Sequence, residues 1–255
     1  MQPEIHLGPI TLQTFGLMFA LGFIAAGAIV AKRLREWDKP PDWAYELIFA
    51  GLVGGIVGSR IDFLIQNFDE VSDDLLGNLF SGSCLVWYGG VIGGAIGVIL
   101  WARWRGLLNV RLLDLCAVPL AVGYAVGRIG CQLSGDGDYG EPWDGPWAMA
   151  YPEGTVPTTE EVHPTPVYES LTMFVIAAVL WRLRDRFRPG ILFALYLVLA
   201  GLERFLVEFV RRNEAVLAGL TLAQLVSLAM IVAGIAWIAV VRSRAGGLRA
   251  AGAEA

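Results

Sequence analysis

Five arginines stand where arginine is least expected. Arg60, Arg128, Arg204, Arg211 and Arg212 interrupt or close long apolar stretches, away from the basic clusters that hold the rest of the 19 Lys and Arg residues. A guanidinium at membrane depth costs several kcal/mol unless it faces an internal cavity or a partner. A single such residue is ordinarily tied to a nearby acid, and Asp62, Glu203 and Glu208 are at hand. Five at one end of three different stretches are more economically read as one shared basic pocket. Its natural ligand is a phosphate, because the planar fork of guanidinium donors matches phosphate oxygens two at a time. Arg204, Glu208 and Arg211 follow at i, i+4 and i+7, which is one face of a helix. That spacing predicts Glu208 holding both arginines while they face an anion. A ladder of intrahelical ion pairs with no ligand is the plainer alternative.

Rigid elements must carry such a pocket, and the composition says which kind. Of 255 residues, 56% are hydrophobic and only 17% charged, where a soluble domain carries about 25% charged residues. The mean hydropathy is +0.58, and the apolar residues come in blocks, which excludes a disordered chain and argues against a soluble enzyme. A net charge of -5 excludes a typical nucleic-acid binder. Three cysteines are too few for a disulfide framework. The first nine residues carry Glu4 and no Lys or Arg, unlike a secretory leader, so the first apolar stretch is expected to stay as a membrane helix.

A spanning helix needs roughly 20 apolar residues. Seven stretches qualify: 10–31, 45–66, 85–102, 112–131, 167–183, 191–210 and 219–241. Several are rich in glycine, as at Gly51, Gly54, Gly55 and Gly58, and small residues at this spacing let helices pack closely in lipid. Basic residues stay on the cytoplasmic side. Clusters such as Lys32, Arg33 and Arg35, or Arg182, Arg184 and Arg186, follow the first, third, fifth and seventh stretches, whereas 67–84 and 132–166 contain no Lys or Arg. The expectation is an all-α integral membrane protein of seven transmembrane helices, amino terminus outside and carboxyl terminus inside. It forms a single polytopic domain over 1–255, with a small extracytoplasmic cap at 132–166 bearing Trp143, Trp147 and Tyr151. Val71, Leu75, Leu76, Leu79 and Phe80 alternate with acids and Asn78, which predicts an amphipathic segment resting on the outer surface.

Gly127-Arg128-Ile129-Gly130-Cys131-Gln132-Leu133-Ser134-Gly135-Asp136, with Gly140 beyond it, resembles the signature Gly-Arg-x-Gly-Asn-Phe-x-Asn-Gly-Glu of prolipoprotein diacylglyceryl transferases. Other stretches fit in the same order. Thr14-Phe15-Gly16-Leu17-Met18 is similar to that family's Trp-Tyr-Gly-Leu-Met, Gly58-Ser59-Arg60 to its Gly-x-Arg, and Tyr88-Gly89-Gly90-Val91-Ile92-Gly93 to its His-Gly-Gly-Leu-Ile-Gly. His163-Pro164-Thr165-Pro166-Val167-Tyr168-Glu169 resembles its His-Pro-Thr-Gln-Leu-Tyr-Glu. Arg204-Phe205-Leu206-Val207-Glu208-Phe209-Val210-Arg211 matches its Arg-Phe-x-Val-Glu-Phe-x-Arg. The chain departs from the pattern at Phe15 (Tyr in the family), Tyr88 (His), Cys131 and Ser134 (both Asn) and Asp136 (Glu).

The resemblance implies a transferase that moves the diacylglyceryl group of phosphatidylglycerol to the lipobox cysteine thiol of a prolipoprotein and releases glycerol phosphate. Its partners would be phosphatidylglycerol, prolipoprotein signal peptides and the lipid bilayer, in the bacterial cytoplasmic (inner) membrane with the active site toward the outer leaflet. No cofactor is implied. Arg128 and Arg204 are the expected central phosphate contacts, supported by Arg60, Glu208 and Arg211, with Gly89, Gly90 and Ser134 also lining the lipid site. Plain helix packing is the simpler role for most of the glycines. The proton acceptor is open among Tyr88, Asp136 and His163: a tyrosine hydroxyl normally keeps its proton at neutral pH, and His163 beside Pro164 also suits a loop-structuring role. Asp136, Asp138 and Glu141 superficially resemble a calcium loop, but the full pattern is absent, so a Gly- and Asp-rich turn is expected and no metal. Cys84 and Cys131 are read either as a bridge or as two buried thiols. The competing functions are a non-catalytic or repurposed relative that binds anionic lipid, and an anion transporter.

Overall fold

Apolar runs become helices here, and prolines and glycines mark where they stop. The computed structural model describes residues 1–67, 87–245 and 247–249. Among them are seven α-helices: α1 (Thr14–Glu36), α2 (Trp43–Gln66), α3 (Trp87–Arg105), α4 (Val110–Ser134), α5 (Thr165–Leu183), α6 (Ile191–Val207) and α7 (Leu222–Ala245). Three antiparallel hairpins accompany them: β1 (Glu4–Leu7) with β2 (Ile10–Gln13) ahead of α1, β3 (Met149–Tyr151) with β4 (Thr158–Val162) between α4 and α5, and β5 (Ala215–Leu217) with β6 (Leu220–Thr221) before α7. The chain is mostly helical, and α1, α2, α4, α5 and α7 are long and apolar enough to cross a membrane. Large apolar side chains such as Ile24, Phe49, Ile92, Val175 and Val232 point outward, a surface suited to hydrocarbon rather than water.

Three boundaries differ from the expected stretches, the last being 219–241, which opens in the β5–β6 hairpin and becomes helical only at Leu222. Residues 10–13 belong to a hairpin that turns at Gly8, and the first helix starts at Thr14 and runs on to Glu36. The sixth helix ends at Val207, where a 3₁₀ turn over Glu208–Val210 replaces the expected last α-helical turn. The amphipathic segment and Cys84 lie outside the described residues.

The chain divides into two compact units. Val30–Leu112 holds α2 and α3, packed backbone to backbone. A Cβ at Gly58 would strike the Gly89 carbonyl, and one at Gly93 the Gly54 carbonyl. Asp62 accepts the Gly89 N–H at 2.9 Å, placing a carboxylate at the positive end of α3. At the other end Glu46 accepts the Trp101 indole N–H at 2.9 Å and pairs with Arg105. The Arg105 guanidinium lies 5.0 Å from the Trp43 ring centroid.

The other unit, Met1–Ile29 with Leu113–Ala255, is built around Ala117, Ala121 and Ala125 of α4, Met173, Ile176 and Leu180 of α5, and Leu192 of α6. Asp114 ties α4 to α6 by accepting the N–H groups of Gly190 at 2.6 Å and Phe193 at 2.9 Å. The connection between α4 and α5, which covers the segment expected to form the cap, has its own small core of Tyr139, Tyr151 and Val162. Gly135 makes the exit from α4 with φ +59°, and a Cβ there would sit 2.8 Å from Gly154.

Candidate functional site

Three separate parts of the second unit deliver the charged groups. Arg128 lies in the last turns of α4, Glu169 near the start of α5, and Arg204 near the end of α6. The 3₁₀ turn then supplies Glu208, and Arg211 follows in extended conformation. Arg211 therefore does not share one continuous helix face with Arg204. Its main chain forms an antiparallel bridge with Gly140, and the Glu141 N–H donates to the Val210 carbonyl at 2.8 Å. Only glycine permits this approach, because a Cβ at Gly140 would strike the Val210 carbonyl and lie 2.9 Å from both the His163 Cβ and the Thr165 Cγ2. The last glycine of the signature is thus what lets Arg211 reach the site.

Glu169 is the hub. Its side chain is wholly buried; Oε2 lies 2.8 Å from Arg128 Nε and 3.6 Å from Arg211 Nη1, and Oε1 lies 3.5 Å from Arg204 Nη1. Oε1 also accepts the Tyr124 hydroxyl at 3.1 Å. Glu208 binds Arg204 Nη1 at 2.7 Å and lies 3.8 Å from Arg211 Nε, so it holds both arginines as the sequence spacing suggests. Its other oxygen accepts Thr221 and Asn213, each at 2.7 Å. Asp138, from the cap, closes the set with Oδ2 on Arg128 Nη1 and Oδ1 on Arg211 Nη2. Three guanidiniums thus meet three carboxylates among the described residues. Glu203, also buried, takes part in none of these ion pairs.

The network is graded from inside to outside. Side-chain exposure is 0% for Glu169 and Glu208, 8% for Arg211, 15% for Arg128, 22% for Arg204 and 33% for Asp138. The open edge is therefore the one where Arg128 and Arg211 meet Asp138. Burial alone would push the Asp138 carboxyl up, but Arg128 and Arg211 outweigh it and hold it down to about 2. Burial likewise disfavours the charged Arg211, and Asp138 and Glu169 more than compensate, so its guanidinium stays charged.

The other expected site residues are placed as follows. Asp136 accepts the Asp138 N–H at 3.3 Å within the turn. Ser134 is buried and donates to the Cys131 carbonyl at 3.2 Å, while its own carbonyl receives Thr155. His163 stacks on Trp143 with 4.4 Å between ring centroids, and its Nδ1 lies 3.3 Å from the Tyr168 hydroxyl, which accepts the Trp147 indole N–H at 2.8 Å. Its main chain pairs with Gly140 and Glu141. Arg212 is exposed and braces the cap through the Gly140 carbonyl at 2.8 Å. Arg60, Tyr88, Gly89 and Gly90 belong to the Val30–Leu112 unit: Arg60 is buried, Tyr88 is exposed, and both glycines face α2. Cys131, Asp136 and Asp138 cluster within 4.8 Å. Both Asp138 oxygens already accept guanidiniums, an arrangement that opposes a cation.

Two members of the network were not singled out by the sequence reading. Glu169 closed a recognised motif without a role, although an acid at the start of an apolar stretch is itself a signal. Asp138 stands in the sequence only as one letter of an acidic turn.

Residues 3–240 match the protein family described as prolipoprotein diacylglyceryl transferase. The chain is similar to the phosphatidylglycerol–prolipoprotein diacylglyceryl transferase of Clostridium tetani, at 32% identity over 241 residues covering 92% of this chain and 96% of the relative. That of Chromohalobacter salexigens is 35% identical over 242 residues, covering 91% and 89%. That of Erythrobacter litoralis is 34% identical over 255 residues, covering 92% and 88%.

Proposed function

The chain belongs to the prolipoprotein diacylglyceryl transferase family, and on that premise we propose that its reaction is centred on Arg128, Arg204 and Arg211. It is a transferase of lipoprotein biosynthesis: the diacylglyceryl group of phosphatidylglycerol passes to the lipobox cysteine thiol of a prolipoprotein, a thioether forms, and glycerol phosphate leaves. The thiol must lose its proton, because the thiolate is the nucleophile. The departing phosphate gains charge as its C–O bond breaks, and fixed cations aimed at it lower the barrier by several kcal/mol.

The observation that carries this reading is the Glu169 hub. A buried carboxylate shared by three guanidiniums fixes their directions before any lipid arrives, so little reorganisation accompanies the reaction. Glu208 holds Arg204 and Arg211 from the other side. In this reading Arg128 and Arg211 grip the phosphate at the edge they share with Asp138, and Arg204, the most exposed of the three guanidiniums, adds charge beside them. Ser134, at the end of α4, borders the lipid in this reading, whereas Arg60, Gly89 and Gly90 belong to the other unit and the two glycines serve its helix packing. Tyr88, Asp136 and His163 remain the candidates for taking up the thiol proton. The protein has seven membrane spans in the bacterial inner membrane, amino terminus outside, with the site toward the outer leaflet. The basic clusters after alternate spans and the absence of Lys and Arg from 67–84 and 132–166 support that orientation, with Arg211 and Arg212 of the last outer connection as the exception.

The test is phosphatidylglycerol-dependent transfer to a lipobox peptide by the purified, lipid-reconstituted protein. Arg204→Ala abolishes transfer, whereas Arg184→Ala, at the end of α5, leaves it intact. Full activity in Arg204→Ala would refute the assignment.

A further inference from the structure

The arginine network has two edges, and they end differently. Inward, the guanidiniums meet Glu169 and Glu208, whose side chains are wholly buried and carry further hydrogen bonds from Tyr124, Asn213 and Thr221. Outward, Arg128 Nη1 and Arg211 Nη2 converge on Asp138, each taking one carboxylate oxygen. A carboxylate that offers one oxygen to each of two guanidiniums occupies the arrangement in which a phosphodiester would bind the same pair. The inner carboxylates cannot be exchanged for a ligand without opening the core. Asp138 is one-third exposed, and its side chain can turn to water. Its main chain stays anchored meanwhile, because the Thr165 hydroxyl donates to the Asp138 carbonyl at 2.5 Å and the Asp138 N–H donates to Asp136.

We propose that Asp138 is an anion placeholder: its carboxylate keeps Arg128 and Arg211 aligned while the site is empty, yields them to the phosphate of the incoming lipid, and reclaims them when glycerol phosphate leaves. The inference rests on the phosphate-binding role proposed above and adds to it a device for turnover. A pair of guanidiniums left without an anion would repel each other and lose its alignment. A pair that never lets go would retain the product, which carries more negative charge than the diester it came from. A competing internal carboxylate solves both problems. The apparent affinity of a ligand falls by the fraction of molecules in which the arginines are free to bind it, so the placeholder weakens substrate and product alike and speeds release.

The test uses the full chain in zwitterionic detergent micelles with glycerol phosphate as the probe, together with the transfer assay. Asp138→Asn keeps the shape and removes the charge. Its expected result is about tenfold tighter binding of glycerol phosphate, a lower KM for phosphatidylglycerol, stronger product inhibition, and a lower kcat as release slows. Binding that is unchanged or weaker overturns the placeholder. Asp138→Ala adds a readout that a purely structural role would not move: added acetate should refill the vacated place and weaken glycerol phosphate binding competitively. Acetate without effect on that variant also overturns the proposal. Arg211→Ala separates the two levels of inference. If it loses the probe while Asp138→Asn binds as wild type does, the placeholder alone fails. If it binds the probe as well as wild type, the phosphate-binding role fails and the placeholder with it.

Discussion

Replacing Glu169 with glutamine removes one negative charge from the centre of the network while keeping its volume and an acceptor for Tyr124. The wild-type side chain lies within 3.6 Å of three guanidiniums and is fully withdrawn from solvent. The variant leaves three arginines facing two carboxylates, one of them at the rim. Breaking a buried ion pair by removing one partner costs about 3–5 kcal/mol, chiefly because the remaining charge is stranded. Glutamine keeps some hydrogen bonding, so the lower half of that range is the expectation, about 3–4 kcal/mol. For a chain of this size, each kcal/mol corresponds to about 2–4 °C in Tm. The fall in Tm, read by intrinsic fluorescence in detergent, should therefore be at least about 6 °C. Glu160→Gln is the control: its pair with Arg212 spans 3.4 Å between side chains 66% and 36% exposed, and such a surface pair contributes about 0–1 kcal/mol. A double variant, Glu169→Gln with Arg211→Gln, removes one charge of each sign and should recover part of the loss, a coupling that a thermodynamic cycle isolates. If Glu169→Gln melts within 1 °C of wild type, the hub does not hold the arginines and the reasoning built on it is wrong.

Two further outcomes follow from the same geometry. Gly140→Ala places a methyl group against the Val210 carbonyl, His163 and Thr165; overpacking of this kind costs about 1–3 kcal/mol, and the displaced Arg211 should lower transfer more than Gly127→Ala, whose Cβ meets nothing within 4 Å. The comparison is made on initial rates at equal membrane loading. Acid should also act through Asp138, whose folded value of about 2 lies below the ordinary carboxyl value near 3.9. Its ion pairs then contribute fully above that ordinary value, and their contribution is lost as pH falls through about 2, a loss of about 1–2 kcal/mol after allowing for its exposure. Unfolding followed from pH 5 to pH 2 should be less acid-sensitive in Asp138→Asn than in wild type.

The helices were legible because uninterrupted apolar runs bounded by Pro40, Pro41, Pro164 and Gly190 leave little else to form. Hydropathy does not register hydrogen bonding, however, so it merged β2 with α1 and carried α6 past Val207. The short hairpins escape it for the same reason, since strands of two to five residues hold through pairing rather than pattern. The arginines were legible as a group because each is costly where it stands. Their partners were not. Glu169 and Asp138 sit 41 and 10 residues from Arg128, and only the fold brings an acid to each. The closing Gly140 could be seen as a motif letter, yet its reason, the close passage of Val210 and Arg211, is tertiary.

Charge balance raises the question of how a neutral network can favour an anion. The answer lies in where each charge is held. Glu169 and Glu208 are buried and fixed by additional donors, so they set the directions of the guanidiniums and have no freedom to leave. Of the three carboxylates only Asp138 is part-exposed, so the edge there is cationic once that side chain turns away. The departures from the family pattern respect this division. Arg128, Glu169, Arg204, Glu208 and Arg211 all match the motif letters, while Phe15, Tyr88, Cys131, Ser134 and Asp136 differ. Phe15 packs beside the signature glycine, where a Cβ at Gly130 would lie 3.4 Å from the Phe15 ring, so that position keeps its contact with α4 without a hydroxyl. The Cys131 thiol lies 3.6 Å from Arg128 Nη1, a contact that leaves the guanidinium its two carboxylates. The three guanidiniums of the network and its two buried carboxylates are thus the residues of the family pattern, and the departures fall on other positions.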